Sequence, residues 1–153
     1  MKLYTLHREQ KFDLSRERLF DFFAKPENLE KITPSSVGFT ILTPPPIVMQ
    51  AGLVLDYTIK LFGLSVHWTT LISSYDPPER FSDVALKGPY AFWHHTHSFV
   101  ANDDGTTTIH DDIRYAIKFG IFGRIAHSLW VKGELKKIFD YREKIMAKLL
   151  PTL

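Results

Sequence analysis

Cysteine is absent from this chain of 153 residues, and its absence excludes several kinds of chemistry. Without thiols the protein forms no disulfide bond, no thiolate metal site and no covalent intermediate on cysteine. Long apolar runs are also lacking, because residues 1–14 carry charges among their apolar side chains and no stretch is long enough to cross a bilayer. We therefore expect a cytoplasmic protein with neither a signal peptide nor stable membrane insertion.

The chain also lacks an excess of charge of one sign. Its 19 lysine and arginine residues stand against 17 aspartate and glutamate residues, which leaves a net charge of +2 at pH 7. This charge is too small to predict binding of nucleic acid, which needs a concentrated basic face. The length fits a single domain over residues 1–153 with one substantial core.

The spacing of apolar residues predicts an α+β domain. A strand over residues 3–12 precedes two short helices, which end near Phe23 and Pro34. About six consecutive strands follow from residue 39, and after residue 120 the apolar residues recur at helical spacing up to Pro151. We expect Ile121 and Ile125 on the inward face of this long helix, and Gly133 to mark a bend or a close approach. The expected architecture is a curved antiparallel sheet that wraps a long C-terminal helix.

The strand over residues 90–101 contains the most unusual pattern in the chain. Alternation along a strand places Trp93, His95 and His97 on one face, and on the next strand it places Asp111 and Tyr115 together. Imidazoles on a buried face need polar partners. The favoured interpretation is an internal hydrogen-bond network that fixes the pairing of the strands. Its expected members are Asp83, His95, His97 and Asp111, with Arg142 of the terminal helix as an ion-pair partner.

Two further interpretations assign chemistry to the same residues. In the first, His95 and His97 bind a metal with Asp111, but no glutamate follows the pair, and we expect neither a metal nor another cofactor. In the second, His95 is a general base that Asp111 holds in one tautomer, with Tyr115 or His97 as the proton donor. The catalytic residues of such an enzyme would be His95, His97, Asp111 and Tyr115.

Short motifs accompany this order of strands and helices. They are Gly88-Pro89-Tyr90, Trp93-x-His95-x-His97-x-Phe99, Gly105-Thr106 and Asp111-x-x-x-Tyr115. Over nearly the whole chain the sequence resembles the START-like (SRPBCC) superfamily, and within it the branch of polyketide cyclases/dehydrases and lipid-transfer proteins. This resemblance implies the helix-grip fold, which lipid carriers, cyclases and chaperone activators share.

The resemblance also implies a deep cavity between the sheet and the long helix, with the hairpin tip at residues 61–64 near its opening. Transferred to this sequence, the residues that line the cavity are Tyr57, Ile59, Trp68, Trp93, His95, His97, Asp111, Tyr115, Val131 and Leu135. An apolar wall with a few polar groups is typical of sites for small hydrophobic molecules.

The expected function is therefore the binding of a hydrophobic small molecule or lipid by a protein that is not an enzyme. One alternative is a cofactor-free cyclase or dehydratase, which would use the histidines, Asp111 and Tyr115 for proton transfer. Another is a protein-interaction module whose cavity is closed. The sequence carries no prediction of the oligomeric state.

Overall fold

The computed structural model describes residues 1–61 and 63–152. The strands in chain order are β1 (Tyr4–Phe12), β2 (Thr40–Ile41), β3 (Val54–Leu61), β4 (Leu64–Asp76), β5 (Arg80–Lys87), β6 (Tyr90–Ala101) and β7 (Thr107–Ile117). They form one antiparallel sheet in the order β1-β7-β6-β5-β4-β3-β2. At the predicted hairpin tip Leu61 pairs with Leu64, and Phe62 lies outside the described residues.

Helices lie after the first strand and at the end of the chain, which confirms the predicted helix-grip arrangement. They are α1 (Arg16–Phe23), α2 (Asn28–Lys31), α3 (Gly120–Ala126), a π-helical segment (His127–Val131) and α4 (Lys132–Leu149), with short 3₁₀ turns at Ser35–Val37 and Leu150–Thr152. No helix in residues 1–61 and 63–152 is long and apolar enough to cross a membrane.

The helix α1 closes one end of the space between the sheet and α4. It begins after Ser15, whose hydroxyl accepts a hydrogen bond from the backbone N–H of Arg18 at 3.4 Å. Its inward face carries Phe20, which packs edge-on against Phe99 of β6 with ring centroids 5.2 Å apart. Met146 from α4 joins the same core cluster, so α1 and the end of the terminal helix share one apolar centre.

A second core cluster lies under the first half of α4, and we call it the aromatic cluster. Its buried members are Trp68, Trp93, Ile113, Tyr115, Leu135 and Phe139. Trp68 of β4 and Trp93 of β6 meet edge to face with ring centroids 5.4 Å apart. Each buried side chain of this size stabilises the fold by about 2 kcal/mol, so the cluster is a principal contact between sheet and helix.

The inward face of the terminal helix differs from the predicted one. Ile121 and Ile125 were expected inside, yet they are 65% and 53% exposed. The π-helical segment explains the difference, because its wider turn shifts the buried face relative to a regular α-helical repeat. Before this segment Gly123 and His127 are buried, and after it Leu135 begins the buried face of α4.

Close approach to the sheet occurs at a different glycine from the one that the sequence suggests. A Cβ atom at Gly123 would lie 1.9 Å from the backbone oxygen of Lys118, whereas a Cβ atom at Gly133 would meet nothing within 4 Å. The close approach predicted for Gly133 is therefore wrong, whereas a bend there stays a prediction. Gly123 is the residue that lets α3 lie directly against the end of β7.

These two glycines give a matched pair of substitutions. We expect Gly123→Ala to lower the free energy of unfolding by about 2 kcal/mol or more, because the backbone must move to accommodate the methyl group. We expect Gly133→Ala to raise it by up to about 1 kcal/mol, because alanine favours an exposed helix. Urea denaturation of both variants measures the two effects, and changes of the same sign would contradict this account of α3.

Candidate functional site

Three neighbouring strands bring a cluster of buried polar side chains together at the centre of the sheet. Asp83 of β5 pairs with His95 of β6, and His97 of β6 pairs with Asp111 of β7. Arg142 of α4 is buried on the side of the terminal helix that faces this cluster. We call these five residues the polar network.

One carboxylate oxygen contacts both imidazoles. His95 Nε2 and Asp111 Oδ1 form a hydrogen bond of 3.0 Å. His97 Nδ1 lies only 2.7 Å from the same oxygen, but it is not aligned for a hydrogen bond. The other nitrogens of the two rings, His95 Nδ1 and His97 Nε2, lie 3.8 and 3.9 Å from Asp83 Oδ2. The imidazoles therefore stand between two carboxylates, with ring centroids 3.8 Å apart.

Burial and mutual attraction set the charges in the polar network. Burial lowers the pKa of His95 to about 3, assisted by the field of His97, so its ring is neutral at pH 7. Burial raises the pKa of Asp83 to about 6 against the attraction of His97 and Arg142. Burial also opposes ionisation of Asp111, but the two imidazoles outweigh it and hold the pKa of that carboxyl well below 3.8.

Arg142 provides the fixed positive charge of the polar network. Its guanidinium lies 4.9 Å from the ring centroid of Phe139, in the geometry of a cation–π contact. Burial lowers the pKa of Arg142, and the charges of Asp111 and Asp83 oppose this change. Arg142 and Asp111 also line a cavity of about 20 Å³, which is too small for an organic ligand.

The side chains of Asp83, His95 and His97 each offer one atom that could bind a metal, and these atoms lie within 4.8 Å of one another. Imidazole nitrogens with a carboxylate oxygen suit zinc and similar ions. The positive charge of Arg142, however, already acts on Asp83 and His95 and would repel a divalent cation. The donor set thus fits an internal ion network better than a metal site.

Tyr115, which the sequence groups with the histidines, has a different partner. Its hydroxyl lies 2.8 Å from Nε2 of His127, and the ring of Tyr4 stacks on His127 with centroids 3.5 Å apart. Burial lowers the pKa of His127, with a further contribution from the positive charges of Lys132 and Lys2. Burial likewise raises the pKa of Tyr115.

The four residues expected to be catalytic thus lie in two separate groups. The second group consists of Tyr115 and His127, and His127 was not predicted from the sequence. Its position four residues after Gly123, on the same helical face, is the signal that could have found it.

The other residues expected to line a central cavity pack against one another. Trp68, Trp93, Tyr115 and Leu135 belong to the aromatic cluster, and partly buried Tyr57, Ile59 and Val131 pack around it. Tyr57 of β3 stacks on Trp68 of the neighbouring strand β4 with ring centroids 5.9 Å apart, and Leu135 of α4 belongs to the same cluster as Trp68.

A cavity of about 590 Å³ lies at one end of the sheet, where β1 begins and β7 leads into α3. It is lined by Met1, Lys2, Tyr4, Ala91, Ile117, Lys118, Phe119, Gly120, Ile121 and Arg124. Tyr4 and Ile117 also pack against the aromatic cluster, which therefore lies beneath this cavity. We call it the end cavity. None of its described lining residues was predicted from the sequence.

The fold has relatives of known structure, although no family model and no curated protein matches the chain. Norcoclaurine synthase from Thalictrum flavum, in complex with dopamine and hydroxybenzaldehyde, gives a TM-score of 0.67 at 16% identity, over 97% of this chain and 88% of that chain. TTHA0849 from Thermus thermophilus gives a TM-score of 0.71 at 15% identity, over 95% of this chain and 99% of that chain. Ms6760 from Mycobacterium smegmatis gives a TM-score of 0.67 at 17% identity, over 97% of this chain and 91% of that chain.

At such low identity these similarities show the fold alone. The chain has the helix-grip fold, which is the fold that the resemblance in sequence implies. Because one fold serves many activities, the function has to be argued from the cavity and the polar groups of this chain.

The neutral state of buried His95 predicts a specific loss of stability in acid. The folded protein resists protonation of His95 down to about pH 3, whereas the unfolded chain binds that proton below its ordinary pKa of 6.5. Stability that His95 contributes above pH 6.5 is therefore lost as the pH falls, by about 2 kcal/mol between pH 7 and pH 5.

We expect His95→Gln to remove this part of the pH dependence, measured by urea denaturation at both pH values. His94→Gln makes the same chemical change on the opposite face of β6 and is the matched control. An unchanged pH dependence in His95→Gln would show that the imidazole is not held neutral.

Proposed function

We propose that the protein binds a hydrophobic small molecule or lipid with an anionic group in the end cavity. The observation that carries this proposal is the volume of about 590 Å³, which lies within the range of roughly 300–1,000 Å³ that small-molecule sites occupy. The site is at one end of the space between the sheet and the terminal helix, beside the region that the superfamily resemblance implied.

The lining of the end cavity defines the chemistry of the ligand. Ala91, Ile117 and Ile121 offer apolar surface, whose burial against a ligand contributes roughly 25 cal/mol per Å² before the costs of ordering. Lys2 and Arg124 are basic, and no described lining residue is acidic. An apolar body with a carboxylate, sulfonate or phosphate group matches this combination.

Interactions of the lining residues themselves support a preformed site. Lys118 donates a hydrogen bond from Nζ to the backbone oxygen of Gly88 at 2.8 Å, which ties the end of β7 to the turn before β6. The ammonium of Lys2 lies 5.2 Å from the ring centroid of Tyr4. A preformed wall lowers the entropic cost of binding.

In this proposal the residues expected to line a central cavity support the ligand site from below. Trp93 and Tyr115 lie under Tyr4 and Tyr90, with centroids of Tyr4 and Tyr115 5.6 Å apart. The polar network holds β5, β6 and β7 together and does not touch the ligand. Norcoclaurine synthase, a neighbour with this fold, forms a complex with two small aromatic molecules, which agrees with a small-molecule site.

Ala91→Phe tests the end cavity directly. We expect the new ring to occupy part of the cavity and to weaken binding of anilinonaphthalene sulfonate, an apolar anion whose fluorescence rises on binding, by about tenfold or more. Ala101→Phe, at the other exposed end of β6, is the matched control and should bind as the unaltered protein does. Equal affinities of all three proteins would refute binding in the end cavity.

An enzyme of the cyclase or dehydratase type is the second candidate, and the contact between Tyr115 and His127 favours it. A neutral imidazole next to a phenol can take up and return a proton, and Tyr4 links this pair to the end cavity. Its test is turnover of small aldehydes and ketones. Loss of turnover in His127→Gln with unchanged dye binding would establish catalysis, and absence of turnover in the unaltered protein leaves the binding proposal.

A further inference from the structure

Residues 119–130 expose an unusual number of large apolar side chains. Phe119, Phe122 and Leu129 are 82%, 76% and 75% exposed. More than half of the surface of Ile121, Ile125 and Trp130 is also exposed. We call these six side chains the α3 surface. They lie in α3, the residue before it and the π-helical segment that follows it.

The fold itself explains why these side chains remain outside. The helix α3 packs on the sheet through Gly123 and His127, the buried residues of this stretch. The close approach at Gly123 leaves no space beneath the helix for a large side chain. Soluble proteins seldom expose contiguous apolar patches of this kind unless the patch binds something.

The charges within this stretch select the kind of partner. Residues 118–132 include Lys118, Arg124 and Lys132 and contain no aspartate or glutamate. Lys2 lies at the same end of the sheet, since it lines the end cavity together with Arg124. A helical segment that exposes phenylalanine, leucine and tryptophan and carries only basic charges within its own length is typical of segments that lie in the interface of an anionic membrane.

A second copy of the chain fits this surface less well. In a symmetric dimer the same patch faces itself, so Lys118, Arg124 and Lys132 would face a second set of the same cations. Their mutual repulsion opposes such a contact, whereas anionic lipid headgroups attract all of them.

We propose that the α3 surface docks reversibly on an anionic lipid bilayer, with α3 lying in the plane of the interface. Phe122, Ile125 and Leu129 enter the boundary of the acyl chains, Trp130 lies at the level of the headgroups, and Arg124 and Lys132 bind phosphate groups. This inference goes beyond ligand binding, because the contact needs no occupant in the end cavity. Docking also brings the opening of the end cavity to the lipid, since Phe119 and Ile121 belong to the α3 surface and also line the end cavity.

The first experiment is co-sedimentation of the full chain with vesicles of phosphatidylcholine alone and of phosphatidylcholine mixed with phosphatidylglycerol. We expect binding to the anionic vesicles and a marked loss of binding at high salt. Because Trp68 and Trp93 are buried and Trp130 is exposed, a blue shift of tryptophan fluorescence on adding vesicles reports the insertion of Trp130.

A pair of double variants connects the binding to the α3 surface. Phe122→Ser with Leu129→Ser should weaken vesicle binding by about tenfold or more, since both apolar contacts are removed. Val48→Ser with Val100→Ser removes two exposed apolar side chains elsewhere and should leave vesicle binding unchanged. Neither double variant changes a lining residue of the end cavity, so dye binding should persist in both.

Several outcomes would overturn the proposal. They are absence of binding to anionic vesicles, equal loss in the two double variants, and self-association of the unaltered protein that Phe122→Ser with Leu129→Ser abolishes. Ala91→Phe separates this proposal from ligand binding, because we expect it to lose the dye and retain the vesicles. Loss of dye and vesicles together would overturn a vesicle contact that is independent of the end cavity.

Discussion

The contact of Asp111 Oδ1 with the imidazoles of both His95 and His97 joins β6 to β7 at the centre of the sheet. Asp83 of β5 contacts the same two imidazoles from the other side. The positive charge of Arg142, on the terminal helix, acts on Asp83. Removing one member would leave another buried charge without compensation, which is far more costly than replacing the whole set with apolar residues. The charge of Arg142 therefore acts together with the aromatic cluster, which supplies the apolar contact between α4 and the sheet.

The buried polar groups and the exposed apolar surface lie in two different places in the structure. Polar groups at the centre of the sheet are enclosed, and the ion pairs and hydrogen bonds of the two histidines are with Asp83 and Asp111. The cavity and the apolar helix surface lie together at the end where β7 meets α3, and the cations of that end are exposed or lie at the cavity wall.

Alternation along the strands together with helical spacing at the end of the sequence predicted the α+β architecture, and alternation alone predicted the burial of the two histidines. Trp93, His95 and His97 are all buried, as a regular strand requires, and the short motifs identified the helix-grip arrangement. The face of α3 was not predictable in the same way, because a π-helical turn depends on packing rather than on the apolar period. The end cavity was missed because its walls come from distant segments, such as Lys2, Ala91 and Arg124.

The two margins of the sheet differ in a way that bears on self-assembly. β2 has only two residues, so it presents few free backbone groups to an incoming strand. At the opposite margin β1 is long but carries His7, Arg8, Glu9 and Lys11, and such charges discourage another strand from adding there. Both margins therefore discourage edge-to-edge pairing with another chain, which matters for a protein that exposes so much apolar surface on one helix.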